Sequence, residues 1–211
     1  MSGFANKDGR VIVDKLITAI QTNKEYLSDI DGLIGDGDHG INMNKGFTMC
    51  QERLEADMDL TTALKTLSGV LMEEIGGSMG PLYGTFFRKM SRASKGQEII
   101  TRDVFCKMLA DARTGVQELG SAKVGDKTLM DVLIPADEAY QAAVKADKDF
   151  KGCLEDMKAA ADKGWQSTKD LVAKIGRASR LGERSRGVLD AGATSCNLLL
   201  QTMADAIIEL I

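Results

Sequence analysis

The sequence predicts an all-α fold in a single domain. Apolar residues recur at intervals of three and four along most of the chain. No run alternates apolar and polar residues between turn dipeptides. No repeat or linker rich in Pro, Gly and Ser divides the 211 residues. A chain of this length can bury roughly 70% of its unfolded surface in one core, so residues 1–211 are read as one unit.

Val11, Ile12, Leu16, Ile17 and Ile20 share one face of a first helix, which ends before the aspartate-rich segment. A second helix is expected from about Ile41 to Leu54. A third, Leu60 to Ile75, carries Leu60, Leu64, Leu67 and Leu71 at helical spacing. Glycines interrupt the pattern from Gly76 to Gly84, and a fourth helix is expected from Thr85 to Lys95. The fifth, Thr101 to Leu119, buries Val104, Met108, Ala112 and Val116. After a loop from Gly120 to Thr128, the sixth runs from Leu129 to Asp147, with Pro135 as a kink or a first-turn proline. The seventh spans Phe150 to Ile175. The eighth, Ala193 to Ile211, buries Leu198, Leu199, Met203, Ala206 and Ile207.

The composition excludes several functions. With 27 basic and 31 acidic residues the net charge is −4, which argues against a nucleic-acid scaffold held by counterion release. Cys50, Cys106, Cys153 and Cys196 are widely spaced and form no CxxC, so free core thiols are expected rather than a zinc knuckle. No apolar stretch is long enough to span a membrane and the first residues do not read as a signal peptide, so a cytoplasmic location is expected. The eleven methionines fall at helical spacing and read as core filler.

Residues 31–46, Asp-Gly-Leu-Ile-Gly-Asp-Gly-Asp-His-Gly-Ile-Asn-Met-Asn-Lys-Gly, place Asp31, Asp36 and Asp38 within eight positions on a segment too rich in glycine for continuous helix. Two such charges about 4 Å apart repel by roughly 4 kcal/mol at an effective dielectric near 20, a cost that a bound cation removes. Carboxylates without thiolates or a histidine pair select Mg²⁺, Ca²⁺ or Mn²⁺, and Mg²⁺ commonly shares its protein ligands with substrate phosphates. The spacing is not that of an EF-hand. Asp and Gly are also the ordinary residues of solvated turns. His39 is the sole histidine, so a histidine-based zinc site or a Ser-His-Asp triad that excludes it is impossible.

Three further irregular segments carry candidate chemistry. Gly76-Gly77-Ser78-Met79-Gly80 precedes a helix and offers backbone N–H groups to an anion, or serves a close helix crossing; it lacks the Walker A pattern. In Gly125-Asp126-Lys127-Thr128 the lysine and threonine suit a phosphate, and Thr128 equally suits a helix N-cap. Arg177, Arg180, Arg184 and Arg186 lie within ten residues in an otherwise acidic chain. Arginine forks bind phosphate bidentately, and Arg177 at a helix end is the expected contact, while Arg180, Arg184 and Arg186 equally suit a solvated basic loop or a docking patch for an acidic partner. Asp190-Ala191-Gly192-Ala193-Thr194-Ser195 closes the run, with Thr194 or Ser195 as a cap.

Taken in order, these segments resemble the dihydroxyacetone kinase L family over nearly the whole chain. The resemblance implies an eight-helix up-and-down barrel with a nucleotide site at one end. In such a protein Asp31, Asp36 and Asp38 hold two Mg²⁺ ions that bridge the phosphates of ADP or ATP. His39, Gly40, Ile41 and Asn42 lie beside them, and Ser78, Met79, Gly120, Leu129, Arg177, Asp190, Ala191 and Gly192 contact the nucleotide. Two departures stand out: Met79 where a small hydroxyl residue is common, and Ala191 where some relatives carry proline.

The resemblance also implies partners. A K subunit holds dihydroxyacetone covalently on its own histidine and supplies any general base. A phosphotransferase-system M subunit rephosphorylates the bound ADP. The implied reaction is phosphoryl transfer to a hydroxyl of the ketone, with Asp31, Asp36, Asp38 and Arg177 as the catalytic set. An ATP-exchanging kinase acting on another ketose, or a nucleotide-responsive protein that binds a transcriptional regulator, are the alternatives.

Overall fold

The structure, a computed structural model, describes residues 3–211 and is helical almost throughout. Its α-helices are α1 (Arg10–Thr22), α2 (Lys24–Ile34), α3 (His39–Arg53), α4 (Leu60–Glu74), α5 (Met79–Ser94), α6 (Arg102–Gly120), α7 (Met130–Lys145), α8 (Phe150–Ser167) and α9 (Ala191–Leu210). Two short strands, β1 (Gly3–Ala5) and β2 (Ile99–Thr101), pair antiparallel with Phe4 opposite Ile100.

The expected first helix is two. Asn23 ends α1 because its backbone N–H and its side-chain amide both bond the Ala19 carbonyl, at 3.1 and 2.8 Å. The chain then restarts as α2, burying Leu27, Ile30 and Ile34. Asp31 therefore stands in the last turn of a helix, Asp36 lies in the connecting loop, and Asp38 ends that loop as the N-cap of α3.

Helix α5 begins six residues before the expected Thr85. Pro81 lies in its first turn, where no helical N–H partner is required, and Gly80 and Gly84 are packing points rather than breakers. A Cβ at Gly80 would collide with the carbonyls of Leu71 and Ile75, and one at Gly84 with the Met72 side chain. Glycine here lets α5 lie close against α4.

Pro135 sits inside α7 rather than in its first turn. Proline has no N–H for the carbonyl four residues earlier, which is that of Asp131, and α8 approaches this carbonyl through Gly164, where a Cβ would clash with it. Helix α8 stops at Ser167, eight residues short of the expected end. The Thr168 hydroxyl donates back to the Trp165 carbonyl at 2.7 Å and accepts the Asp190 N–H at 3.1 Å. The chain beyond forms 3-10 segments at Thr168–Asp170 and Arg177–Ser185.

Packing follows the chain. Helix α4 lies against α3 and α5, α5 against α6, α6 against α7, α7 against α8, and α8 against α9. Helix α1 joins α9 to α3, and α2 packs on α3 and α9. The core between them includes Leu16, Leu27, Leu67 and Leu200, all without solvent contact, each worth about 1.5–3 kcal/mol of burial. Phe87 packs edge-on against Phe47 and Phe86 at centroid distances of 6.1 and 5.0 Å, a favourable aromatic geometry.

One end of the bundle is fastened by Asn6. Its amide donates to Thr61 Oγ1 at 2.9 Å and to the Gln97 carbonyl at 2.8 Å, and accepts the Thr61 N–H at 3.2 Å. That fastening holds the start of α4 to the turn after α5. The end of α4 and the start of α5 are thereby directed to the opposite end, where α2 passes into α3.

Candidate functional site

At that opposite end a cleft of about 410 Å³ opens. Its rim includes the first turns of four helices: Asp38 and His39 of α3, Ser78 and Met79 of α5, Leu129 and Met130 of α7, and Asp190 to Gly192 of α9. Helix N-termini carry unpaired N–H groups and the positive end of the helix dipole, so the cleft is built to receive an anion. Ile34, Leu82, Val116, Leu119 and Ile175 make the rest of the wall apolar. An anionic ligand with an apolar body suits such a lining.

The aspartates gather at one edge of this cleft, with one carboxylate oxygen from each of Asp31, Asp36 and Asp38 within 4.8 Å of one another. Asp38 is the N-cap of α3, yet its side chain makes no capping bond. By contrast, Asp59, Asp149 and Asp190 each use a carboxylate oxygen to cap α4, α8 and α9. The Asp38 carboxylate is left to the cluster. At Gly35 a Cβ would collide with the Asp31 carboxylate, so glycine preserves the space around that group. The donors are all oxygen, which fits a hard divalent cation such as Mg²⁺.

Arg177 pairs with Asp36 across the mouth. The exposed guanidinium, at 64% side-chain exposure, can be redirected at little cost. It stands at the start of the second 3-10 segment, preceded by Gly176 at φ 75°.

Behind the cluster, His39 anchors α3 to α9. Its Nε2 lies 2.9 Å from Ser195 Oγ, which is 2.6 Å from the Tyr83 hydroxyl and 3.1 Å from the Gly192 carbonyl. Burial pushes the His39 pKa down to about 4, against a smaller upward push from Asp38. The imidazole is therefore neutral near pH 7, and Ser195 and Tyr83 lock its position. Asp190 caps α9 through the Ala193 N–H at 2.7 Å. Loss of solvent raises its pKa to about 7, opposed by that N–H.

Most expected site residues converge. Asp31, Asp36, Asp38, His39, Ser78, Met79, Gly120, Leu129, Arg177, Asp190, Ala191 and Gly192 all line the cleft. Gly40, Ile41 and Asn42 lie outside its lining. A Cβ at Gly40 would strike the Lys24 carbonyl and Ser28, so this glycine seats α3 on α2. Ile41 is exposed, and the Asn42 N–H bonds the Asp38 carbonyl at 2.9 Å. Gly120 is the last residue of α6 rather than a loop residue, and Ser121 forms the left-handed cap at φ 54°.

Three expectations from the sequence change. The cap of α9 is Asp190, not Thr194 or Ser195. Leu129 precedes α7 as its cap, while Thr128 Oγ1 accepts the Met130 N–H at 3.1 Å. Lys127 does not reach out as a phosphate ligand: it is 1% exposed and bonded to protein carbonyls. Sequence reasoning missed Tyr83, although its position one turn inside α5, beside the Gly76 to Gly80 segment, was available as a signal.

A helical domain with converging helix N-termini beside an acidic cluster has the makings of a site for an anion together with a hard cation. The chain belongs to the DAK2 domain family, whose profile matches residues 33–205. It is 40% identical to the ADP-binding subunit DhaL of the PEP-dependent dihydroxyacetone kinase of Escherichia coli, over 87% of this chain and 88% of that protein. It is 37% identical to the ADP-binding subunit DhaL of the PTS-dependent dihydroxyacetone kinase of Lactococcus lactis, over 89% and 91% of the two chains. These relatives are subunits of phosphotransferases.

The fold matches the crystal structure of the dihydroxyacetone kinase of C. freundii with a TM-score of 0.71 at 23% identity, covering 95% of this chain and 34% of that one. The same kinase in complex with AMP-PNP and Mg²⁺ matches at a TM-score of 0.68 and 22% identity, over 97% of this chain and 35% of that one. This chain thus spans about a third of those longer kinase chains.

Proposed function

We propose that this chain is the nucleotide-binding subunit of a dihydroxyacetone kinase, holding ADP or ATP with Mg²⁺ and passing a phosphoryl group to dihydroxyacetone on a separate K subunit. The observation that carries the reading is the Asp31, Asp36 and Asp38 cluster at the edge of a cleft rimmed by four helix N-termini. The relatives' names as ADP-binding kinase subunits support it. A phosphotransferase-system M subunit that rephosphorylates bound ADP, and a cytoplasmic location, belong to the same reading. The packing order that returns from α9 to α1 supports a closed up-and-down barrel.

Asp31, Asp36 and Asp38 would hold the metal, as two ions. Bound there, Mg²⁺ neutralises phosphate charge and restrains the phosphate oxygens. The first turns of α3, α5, α7 and α9 orient the phosphate chain, and the apolar wall receives the base. Arg177 is the mobile cation at the mouth, placed to stabilise charge on the transferring group. His39, fixed by Ser195 and Tyr83, holds the start of α3 in register with that of α9. Positioning and electrostatics are what phosphoryl transfer chiefly requires.

The test begins with chain purified in Mg²⁺, freed of small molecules, denatured in acid and chromatographed. Near-stoichiometric ADP is expected, together with transfer to dihydroxyacetone once a K subunit and a phosphoryl donor are added. Failure to bind any adenine nucleotide in the presence of Mg²⁺ would overturn the proposal. An empty chain that binds ATP reversibly would support the nucleotide site and replace the M-subunit route with exchange of free ATP.

A further inference from the structure

Lys127 is the most thoroughly buried cation that borders the cleft. Its ammonium donates to the carbonyls of Leu171 at 3.2 Å, Ser185 at 2.5 Å and Val188 at 2.6 Å. A lysine ammonium has three N–H donors and no acceptor, so three carbonyls use all of them and none remains for a phosphate. Desolvation lowers the amine's pKa, against an upward pull from Asp190.

The three carbonyls bracket one segment. Leu171 precedes the 3-10 segment Arg177–Ser185, Ser185 ends it and Val188 follows it, so one ammonium draws both ends of this strap to a point. Further bonds close the same base: Ala173 N–H to Ser185 Oγ at 2.9 Å, Gly187 N–H to the Lys169 carbonyl at 2.7 Å, and Lys174 N–H to the Asp126 carbonyl at 3.1 Å. The strap carries Arg177 to the mouth. Asp131, whose carboxylate accepts the Gly125 N–H at 2.5 Å and the Thr128 N–H at 2.7 Å, shapes the turn from which Lys127 extends. Lys127 itself stands at φ 63°, a conformation that favours glycine, and its charged bonds to three carbonyls offset that backbone cost.

We propose that Lys127 is a positioning residue that pins the strap of residues 171–188 and so sets Arg177 over the nucleotide phosphates. The proposal rests on the nucleotide-subunit reading only in its second half; the pin itself is independent of any ligand.

Lys127→Gly tests it without adding backbone strain. In the nucleotide-free chain, trypsin is expected to cut within the strap at Arg177, Arg180 or Arg184 at least about tenfold faster than in the unsubstituted chain, the scale of one lost charge-assisted hydrogen bond. Mg-ADP affinity should fall by a similar factor. Millimolar n-butylammonium, which replaces the missing side chain with its charge, should restore both, and n-butanol should not. Unchanged cutting would overturn the pin, and loosened cutting with unchanged ADP affinity would overturn the positioning role. Equal restoration by n-butanol would reduce Lys127 to packing. If the variant does not fold, hydrogen exchange on the unsubstituted, nucleotide-free chain decides: slow exchange at the Ala173 and Gly187 amides supports the pin, and exchange at the free-peptide rate overturns it. Loss of ADP binding by the unsubstituted chain would sink the function proposed above, while the protease and exchange results would still judge the pin.

Discussion

Arg177 and Asp36 form an ion pair between two segments far apart in sequence, one from the strap and one from the turn between α2 and α3. In this pair the cleft closes a cation over its own anionic cluster. A metal at the aspartates would compete for Asp36 and free the guanidinium for phosphate.

Arg177→Ala should separate stability from transfer. Both partners are substantially exposed, so the urea midpoint should move by no more than about 0.5 kcal/mol in free energy. Phosphoryl transfer in the assay with the K subunit should fall by about 10²-fold or more. Arg177→Lys should recover little of it, because the planar fork is lost. Equal transfer rates for all three proteins would remove Arg177 from the reaction.

Asp38→Asn should abolish Mg²⁺-dependent ADP binding while leaving the helical circular dichroism intact. Removing one charge from a like-charged cluster relieves repulsion, so the metal-free variant should melt at the same temperature as the parent or higher. Retained Mg²⁺-dependent binding would contradict the metal assignment.

Two neighbouring glycines should fail in different ways. Gly35→Ala crowds the Asp31 carboxylate and should weaken cation binding with a small change in stability. Gly40→Ala drives a methyl into the Lys24 carbonyl and should cost about 1–3 kcal/mol of folding energy. Urea denaturation and Mg²⁺ titration of the two variants check this, and a Gly40→Ala protein of full stability would show that α3 and α2 have room to separate.

His39 and Asp190 should tilt stability in opposite directions with pH. The folded His39 stays neutral down to about 4, whereas in the unfolded chain it takes up a proton as pH falls through about 6.5. Its contribution is complete above that value and is lost on acidification, by up to about 3 kcal/mol. The folded Asp190 carboxyl is raised to about 7, so its contribution is present at low pH and is lost as pH rises towards 7. In metal-free urea denaturation between these values, Asp190→Asn should be stabilised by rising pH more than the parent, and His39→Gln less. Parallel pH profiles for the two variants would reject both assignments.

The helices that were legible are those whose packing agrees with their local pattern. Leu60, Leu64, Leu67 and Leu71 mark α4 within one residue at its C-terminal end. Where tertiary contacts reverse a local signal, the sequence misleads. Gly80 and Gly84 read as breaks because the helix they touch cannot be seen in one dimension. Val172 and Ala173 read as a continuation of α8, but the Leu171 carbonyl is taken by Lys127 from a distant turn. The acidic cluster was legible because its spacing is local. The His39, Ser195 and Tyr83 chain joins three helices, and no spacing rule links residues so far apart.

The withdrawal of the Asp38 side chain from capping α3 has a consequence for the protein's lifetime. A capping aspartate is worth about 1 kcal/mol to a helix, and Asp38 withholds that from the fold so that its carboxylate can face the cluster. A ligand that binds only the folded chain returns stability in proportion to its occupancy. The empty chain is then the form most exposed to unfolding and proteolysis, and the abundance of the protein becomes a record of how often its cleft is filled.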